Sequence, residues 1–580
     1  MKKIINNPQD IVPEMLNGII AAHPQLDFDP KYKFLFKRKK EPNKVTLISG
    51  GGSGHEPIHG GFIGTGLLDC AVCGEVFASP SQIQVYQAIK ATAGTKGVLL
   101  IIKNYSGDIM NFKNAAEMAK EDGIEVDYMV VDDDIAVEDS LYTVGKRGVA
   151  GTMFVHKIAG AAAAAGKSLA EVKAIAQKAN ENTVSIGFAL TSCTIPAKGS
   201  PIFELGEDEI EYGVGIHGEP GIRREKTKTA NELAKAAVEG LVKDAKLKKG
   251  DKIALLVNGF GATPLMELYL LNNAVTKELD QLGIEPQRTI VGSYMTSLDM
   301  AGGSVTFLKL EPELLGYLSD SAVSPAIVVD NPQDNTPYSP KYHSQAQGNY
   351  NVESDGAWNK ISNEQFSLQN IIYTVDFLAQ EIIKNESKFN DLDSAAGDGD
   401  FGTSVSKGFR QLKNEWSQLT ANSKDIGEFL NGCSLIIMEN CGGASGPIWG
   451  SAFRGAGKYT AGKTQLSVSE FAEMLQQAVS AIQTTGERSF GRGAVVGDKT
   501  LIDALVPCVE AWKKAAESSA TFKDALDQGA KAAVDGAKAT EKIVARLGRA
   551  GNVGERSLGS PDAGATGLGI LFTAIANELK

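Results

Sequence analysis

The hydrophobic pattern of the chain changes at about residue 331, and this change constrains the fold more than any other feature. Before it, short apolar runs alternate with helical stretches, as in VTLIS at 45–49, GVLLIIKN at 97–104 and TVSIGFAL at 183–190. After about residue 363, apolar residues recur only at helical spacing. A single hydrophobic core stops growing at about 250–300 residues. The 580 residues therefore predict at least two domains of different class.

The strand runs fall into two sets, which predicts two α/β subdomains within residues 1–330. The first set also contains LDCAVCGEVF at 68–77 and VDYMVV at 126–131. The second also contains KIALLVNGFG at 252–261, RTIVGSYM at 288–295 and AIVVD at 326–330. Nearly continuous apolar strands separated by helices are typical of parallel or mixed sheets.

The remaining chain predicts a linker at 331–362 and an all-α domain at 363–580. Residues 331–356 are poor in aliphatic side chains and rich in Asn, Gln, Ser and Pro, which is a linker composition. Beyond them, helical periodicity recurs near 469–482, 500–516 and 523–545, with glycine-rich interruptions.

Charge and apolar content exclude several classes of protein. The net charge of −12 argues against a nucleic-acid partner, which needs concentrated Lys and Arg. No apolar run approaches the length of a membrane span, and no signal peptide is visible, which predicts a cytoplasmic protein. Cys70 and Cys73 form a C-x-x-C, but they lie in an apolar strand run and have no second pair at zinc-site spacing. We expect core cysteines.

Two histidines stand in glycine-rich loops. His55 lies in SGGGSGHEP at 49–57, directly after a predicted strand, where backbone N–H groups and a side chain can meet a small ligand. His217 lies in GVGIHGEPG at 213–221, where bare flanks leave room for a substrate to reach the ring. The alternative for His217 is a histidine that only makes a hydrogen bond within a turn.

Three aspartates follow one another on a glycine turn in the helical domain. Asp393, Asp398 and Asp400 lie in DSAAGDGDFGTS at 393–404. Like charges this close repel unless cations neutralise them, and Mg²⁺ prefers oxygen ligands. The spacing favours Mg²⁺, and a solvated acidic turn is the alternative.

Further glycine-rich segments in this domain, CGGASGP at 441–447, GDKT at 497–500 and PDAGAT at 561–566, fit helix ends. Exposed N–H groups at a helix start also suit phosphate groups. A nucleotide bound with Mg²⁺ explains the aspartates and these segments together. By contrast, GAAAAAGKS at 160–168 has one residue too many for a P-loop and predicts an alanine-rich helix ending at Gly166.

These motifs, in this order, resemble the single-chain, ATP-dependent dihydroxyacetone kinases over essentially the whole chain. The resemblance rests on SGGGSGHEP, KNYSGDIMNF, GIHGEPG, DSAAGDGDFGTS, GGASGP, GDKT and GRAGNVGERSLGSPDAGAT. It implies an N-terminal substrate domain of two α/β subdomains and a C-terminal barrel of antiparallel helices that carries ATP. It also implies a homodimer in which the ATP domain of one chain can serve the substrate domain of the other.

The resemblance also implies the site residues. His217 forms a covalent hemiaminal with the substrate carbonyl, and His55 and Asp108 act as acid/base groups. The remaining positions are substrate contacts at Gly52, Ser53, Gly54, His55, Lys103 and Asp108, metal ligands at Asp393, Asp398 and Asp400, and nucleotide contacts at Phe401, Gly402, Thr403, Ser404, Ala444, Ser445, Gly493, Arg549, Asp562, Ala563 and Gly564.

The function implied is ATP-dependent and Mg²⁺-dependent phosphorylation of dihydroxyacetone, with glyceraldehyde as a second substrate. Two alternatives stay open. The chain can be a kinase for another small ketose such as erythrulose, or a relative that splits a nucleotide compound by cyclisation. It can also be a non-catalytic sensor of dihydroxyacetone, although a sensor need not retain His217, His55, Asp108 and all three aspartates.

Overall fold

The computed structural model describes residues 2–137, 139–140, 143–219, 221–330, 337–342, 350–395, 397–547 and 549–580, without the side chains of 139, 140, 143, 144, 549, 550, 552 and 553. The chain divides into two compact units, Met1–Tyr342 and His343–Lys580. They are named here the α/β unit and the helical unit. Within the described residues, no helix is both long enough and apolar enough to cross a membrane.

The α/β unit alternates strands and helices as its apolar runs predict. In chain order its elements are α1 Ile11–Ala22, β1 Leu26–Asp29, β2 Phe34–Lys37, β3 Thr46–Ser53, β4 Cys70–Val76, α2 Gln82–Thr92, β5 Val98–Lys103, α3 Ser106–Glu121, β6 Val126–Val131, β7 Asp139–Ser140, β8 Thr143–Val144, α4 Thr152–Ala164, α5 Leu169–Glu181, β9 Thr183–Ala189, β10 Glu209–Tyr212, β11 Arg223–Lys226, α6 Ala230–Asp244, β12 Lys252–Gly259, α7 Leu265–Leu282, β13 Glu285–Gly292, β14 Gly302–Lys309, α8 Pro312–Ser319, β15 Ala322–Val323 and β16 Val328–Val329.

Two six-stranded mixed sheets form the two predicted subdomains. The first has the order β1-β2-β4-β3-β5-β6, with β4, β3, β5 and β6 parallel. The second has the order β11-β10-β9-β14-β12-β13, in which only β12 and β13 pair in parallel. The sequence prediction missed β14, a central strand, and AIVVD supplies only the two-residue β16, which pairs with β15 outside both sheets. The glycines and threonine of GGSVTFLK in β14 dilute its apolar pattern.

Alternating side chains cover both faces of each sheet. In β5, Leu100 and Ile102 pack with α2 and α3, whereas Leu99 and Ile101 share a core with α4 and α5. That same core includes Leu256 of β12, so α4 and α5 lie between the two sheets, and every residue from 152 to 163 in α4 is buried. The far face of the second sheet packs with α6 and α7. Each fully buried Leu, Ile or Phe contributes about 1.5–3 kcal/mol.

The helical unit contains ten α-helices among its described residues. They are α9 Leu368–Lys384, α10 Glu386–Ser394, α11 Phe401–Asn414, α12 Trp416–Asn422, α13 Ile426–Asn440, α14 Ser445–Tyr459, α15 Val468–Phe490, α16 Ile502–Glu517, α17 Phe522–Ala539 and α18 Ala563–Glu578. A two-stranded pairing of β17 Phe366–Ser367 with β18 Gln465–Leu466 completes the unit.

Eight of these helices form a closed ring. Each of α9, α11, α13, α14, α15, α16, α17 and α18 contacts the next, and α18 contacts α9. The ring encloses an apolar cavity of about 190 Å³, whose lining includes Phe453, Phe471 and Trp512. This arrangement confirms the predicted all-α barrel. Three of the helices, α9, α15 and α17, begin with capping boxes at Ser367, Ser467 and Thr521, which satisfy N–H groups at their first turns.

The predicted boundaries at 330 and 362 stay predictions. Residues 331–336 and 343–349 lie outside the described part of the chain. Residues 353 and 354 donate backbone N–H groups to Asp376 of α9, and Ile361 donates to the carbonyl of Lys580. The end of the predicted linker therefore packs on the helical unit.

Candidate active site

His55 and His217 meet where a loop of the first sheet reaches a loop of the second sheet in the α/β unit. The loop after β3 carries His55 and the loop after β10 carries His217, and their Nε2 atoms lie 3.1 Å apart. The ring of His55 stacks on Phe77, and the ring of Tyr105 meets that of His217 edge-on. His55 is fully buried, whereas 17% of the His217 side chain is exposed. A small molecule can therefore reach the ring of His217.

Both imidazoles are held in their neutral form. Burial, with the nearby His217 and Lys103, lowers the pKa of His55 well below its ordinary value. Burial and the positive charges of Lys103 and Arg147 lower the pKa of His217 to about 3. Neutral imidazole keeps a lone pair, which a nucleophile or a general base requires.

Hydrogen bonds fix the tautomer of His55. Its Nδ1 lies 2.8 Å from the carbonyl oxygen of Thr296, which can only accept, so Nδ1 carries the proton. In a neutral ring Nε2 is then the acceptor. The contact of 3.1 Å with His217 consequently needs a proton on Nε2 of His217.

Lys103 and Asp108 lie at the ends of neighbouring elements and complete this side of the site. Lys103 is the last residue of β5, Asp108 lies in the first turn of α3, and their Nζ and Oδ2 atoms are 3.4 Å apart. Both residues are buried. A side chain at Gly51 would come within 2.4 Å of Nζ of Lys103, so the glycine makes room for the ammonium group. We call His55, His217, Lys103 and Asp108 the imidazole site.

The other predicted contacts of the first loop have structural partners. Gly52 packs against the backbone of Phe77 and Ala78, and Gly54 has a φ of +105° and lies against Phe77. The hydroxyl of Ser53 donates to the carbonyl of Gly74. The substrate contacts expected at Gly52, Ser53 and Gly54 stay predictions.

The glycines of GVGIHGEPG meet conformational and packing requirements of the loop. Gly213 and Gly218 adopt positive φ, at +79° and +72°, which favours glycine. A Cβ at Gly215 would lie 2.1 Å from Oε1 of Glu219 and 2.7 Å from Nη1 of Arg147. The space beside Gly215 therefore holds the buried side chains of Glu219 and Arg147, and the access of a substrate to His217 past these glycines stays a prediction.

A second pocket lies at one end of the helical ring, where four alternate helices begin. Near the starts of α11, α14, α16 and α18, the residues Phe401, Ser445, Leu501 and Ala563 line it. Its volume is about 230 Å³. Helix starts present unpaired N–H groups and positive dipole ends, which favour anions such as phosphates.

The three aspartates stand beside this pocket. Ligand oxygens of Asp393, Asp398 and Asp400 all lie within 4.8 Å of one another. Oδ2 of Asp393 accepts the backbone N–H groups of Gly399 and Asp400. Partial burial and the negative charge of Asp398 raise the pKa of Asp393. Carboxylates that converge in this way form a donor set that fits a hard divalent cation.

Nine of the predicted nucleotide and metal positions line this one pocket, named here the aspartate pocket. They are Asp393, Asp400, Phe401, Ser404, Ala444, Ser445, Asp562, Ala563 and Gly564. Gly402 packs against α10, and Thr403 bonds to Asn390 of that helix. Gly493 lies against Gln483, with its neighbour Ala494 lining the pocket. The side chain of Arg549 lies outside the described residues.

Comparisons with known proteins cover both units. The Dak1 domain model matches residues 17–326, and the DAK2 domain model matches residues 395–577. The dihydroxyacetone-binding subunit DhaK of a PTS-dependent dihydroxyacetone kinase of Listeria innocua is 52% identical over 54% of this chain and 95% of its own length. D-erythrulose kinase of Mycolicibacterium smegmatis is 32% identical over 100% of this chain and 98% of its own.

A solved structure matches the whole chain as well. The dihydroxyacetone kinase from C. freundii, in complex with AMP-PNP and Mg²⁺, is 30% identical, covers 99% of both chains and gives a TM-score of 0.58. The chain belongs to the dihydroxyacetone kinase family. Membership confirms the predicted family, its class of activity as a kinase and the two-part fold.

The structure also shows residues of the aspartate pocket that the sequence did not predict. Lys499, Thr500 and Leu501 line the aspartate pocket. Buried Lys499 donates to the carbonyls of Ile543 and Ser557, which ties the GDKT turn to the segment before α18. GDKT was recognised as a motif, but spacing alone did not show which of its side chains turns inward. Burial raises the pKa of Asp562 to about 7, and Oδ1 of Asp562 accepts the N–H of Ala565 at the start of α18.

Proposed function

We propose that this chain transfers the γ-phosphoryl group of ATP to a primary hydroxyl of dihydroxyacetone, and also of glyceraldehyde, with the carbonyl carbon held as a hemiaminal on His217. One observation carries the proposal. Two neutral imidazoles face each other at 3.1 Å beside a buried lysine and aspartate, where a carbonyl compound can be attacked and its hydroxyl groups bound.

The imidazole site supports each role of the acceptor half. Nε2 of His217 bonds to the carbonyl carbon as the C=O π bond opens, and the oxygen gains the proton that the ring gives up. A ketone adduct of imidazole is weak in water, so the site must hold both partners in place. Asp108, paired with Lys103, or His55 accepts the proton of the hydroxyl that takes the phosphoryl group.

The aspartate pocket supports the donor half. Phosphoryl transfer depends mainly on position and on neutralising charge. We propose that Asp393, Asp398 and Asp400 hold Mg²⁺, which neutralises phosphate oxygens when it is bound. The helix starts at Phe401, Ser445 and Ala563 present N–H groups to the phosphates, and the predicted contacts at Gly402, Thr403, Gly493 and Arg549 belong to the same proposal.

An ADP-release assay with ATP and Mg²⁺ tests this function. Dihydroxyacetone, glyceraldehyde, erythrulose and glycerol are compared, and we expect turnover of the carbonyl compounds with little turnover of glycerol. Glycerol has hydroxyl groups but no carbonyl carbon. Equal turnover of glycerol and dihydroxyacetone would contradict the hemiaminal.

A second candidate is erythrulose phosphorylation. A D-erythrulose kinase is 32% identical over the whole chain, and both substrates carry a ketone next to a primary hydroxyl. The ratio of kcat/KM for erythrulose to that for dihydroxyacetone decides between them, and a ratio above one favours erythrulose.

The family resemblance also supports a cytoplasmic homodimer in which one chain phosphorylates substrate held by the other. Mixing two variants that we expect to be inactive, His217→Ala and Asp398→Asn, tests phosphoryl transfer from one chain to the other. We expect activity to return, because each chain supplies the intact half that the other lacks. A dimer by light scattering without recovered activity would restrict transfer to a single chain.

A further inference from the structure

A buried chain of charges approaches His217 from the side opposite His55. Oε2 of Glu219 accepts the backbone N–H of His217 at 2.8 Å, and Oε1 lies 4.0 Å from Nδ1 of the His217 ring. Glu219 is only 5% exposed. The carboxylate therefore fixes the backbone of His217 and also faces the ring nitrogen that does not face His55.

Arg147 and Asp134 hold this carboxylate in place. Nη1 of Arg147 lies 3.6 Å from Oε1 of Glu219, while Nε and Nη2 of Arg147 contact Oδ2 of Asp134 at 2.8 Å and 2.7 Å. Nη2 also donates to the carbonyl of Gly213, at the start of the His217 loop. Arg147 is fully buried, and a buried charge of this kind needs paired carboxylates.

One oxygen of Glu219 has unused capacity. Oε1 of Glu219 and Nη1 of Arg147 are both buried without a hydrogen-bond partner among the described residues. Buried polar atoms without a partner are uncommon in native proteins, and a catalytic role is one of the reasons for such an atom. Oε1 is also the carboxylate oxygen of Glu219 that lies nearest the ring nitrogens of His217.

Nucleophilic attack requires a change of tautomer at His217. Because Nδ1 of His55 donates to Thr296, the contact between the rings places the proton of His217 on Nε2. A protonated Nε2 has no lone pair with which to attack a carbonyl carbon. The attacking tautomer must carry its proton on Nδ1, next to Glu219.

We propose that Glu219 is a positioning residue that selects the nucleophilic tautomer of His217, a role that rests on the proposed hemiaminal. Its Oε1 accepts a hydrogen bond from Nδ1–H, which keeps the proton on Nδ1 and leaves the lone pair on Nε2 free. When the bond from Nε2 to the carbonyl carbon forms and the π electrons move to oxygen, the ring becomes positively charged. The carboxylate stabilises that charge until the Nδ1 proton leaves, which balances the proton gained by oxygen.

Glu219→Gln separates this role from a purely structural one. The amide oxygen of glutamine can still accept the backbone N–H of His217. Its NH₂ group then faces Nδ1 as a donor and favours the tautomer with the proton on Nε2, which cannot attack. Glu219→Ala removes the backbone contact but imposes no tautomer. A structural role predicts the greater loss for alanine, and tautomer selection predicts a loss for glutamine that is at least as large.

The experiment uses the full chain and dihydroxyacetone labelled with ¹³C at the carbonyl carbon, without nucleotide. ¹³C NMR measures the bound tetrahedral carbon, and ¹⁵N-histidine spectra report the tautomer, which six histidines make tractable. For Glu219→Gln we expect adduct affinity to fall about 10-fold to 100-fold, as for loss of a charge-assisted hydrogen bond. We also expect His217 to stay protonated on Nε2, and Glu219→Asp to restore part of the affinity.

The matched control is Glu211→Gln. Glu211 is also buried and accepts the N–H of Gly221 in the same loop, but its other oxygen pairs with Arg224. We expect its adduct affinity to stay within about twofold of wild type. Glu219→Gln with wild-type affinity, or Glu219→Ala much weaker than Glu219→Gln, would overturn the proposal while the hemiaminal stands. An adduct that persists in His217→Ala would overturn the role of His217 and that of Glu219 with it.

Discussion

Histidines and tryptophans are distributed unequally between the two units of the molecule. Five of the six histidines lie in Met1–Tyr342, and all four tryptophans lie in His343–Lys580. The imidazole site is built from buried neutral rings, and the aspartate pocket from solvent-accessible carboxylates and helix starts. One unit thus keeps two imidazoles uncharged by burying them, and the other leaves carboxylates accessible to solvent.

The largest expected effect on turnover comes from removing the histidine proposed to bind the substrate. His217→Ala removes the proposed nucleophile, so turnover of dihydroxyacetone should fall by about three orders of magnitude or more, given the rate advantage of held reactants. Calorimetry should show unchanged binding of Mg²⁺ and ATP, because the site proposed for them lies in the helical unit. Weakened nucleotide binding in this variant would contradict the assignment of ketone binding and nucleotide binding to separate units.

A substitution at the proposed metal site should have the opposite pattern, with loss of turnover and normal binding of the ketone. Asp398→Asn removes one of the three clustered carboxylates, and we expect turnover to fall about 100-fold or more while the ketone adduct forms normally. Asp391→Asn, at an exposed position on α10, the helix that carries Asp393, is the control and should retain activity. Loss of the ¹³C adduct signal in Asp398→Asn would show that the two sites are not separable.

Acid should weaken the α/β unit through its buried imidazoles. Burial lowers the pKa of His156 to about 3. A histidine with a lowered pKa contributes stability that is present above pH 6.5 and is lost as pH falls toward 3. His156→Leu should therefore stabilise the α/β unit by up to about 3 kcal/mol at pH 4, with little effect at pH 7.

Tryptophan fluorescence and circular dichroism measure this effect separately in the two units. All four tryptophans report on the helical unit, so unfolding of the α/β unit changes the circular dichroism without a matching fluorescence change. His23→Leu replaces a half-buried histidine just after α1 and serves as the control. An equal gain in unfolding free energy at pH 4 in both variants would contradict the assignment of the acid sensitivity to His156.

The smallest expected effect concerns the packing beneath His217. Gly215→Ala places a Cβ against Glu219 and Arg147, so the α/β unit should lose about 1–3 kcal/mol of unfolding free energy, as overpacked sites do. Gly316→Ala, in α8, meets nothing within 4 Å and should be neutral or slightly stabilising. Thermal unfolding of both variants gives the comparison, and a neutral Gly215→Ala would show that the ion pair can move aside.

Much of the fold could be predicted from the sequence because both units carry strong local patterns. Alternation of apolar strands and helices indicated the two sheets, and helical periodicity indicated the all-α character of the helical unit. β14 was not predicted because its glycines and polar residues interrupt the apolar run. Its place between β9 and β12 depends on pairing partners distant in sequence, which no local pattern contains.

The sequence by itself brought out the chemistry-bearing residues, since histidines and aspartates on glycine loops have few structural uses. His55, His217, Asp393, Asp398 and Asp400 were all recognisable in this way. Only the tertiary structure decided what surrounds them. Arg147 lies 70 residues before His217, and Asp134 lies earlier still, yet folding brings both beneath its loop. Protonation states and tautomers depend on burial and on partners from distant segments, and those exist only once the chain is folded.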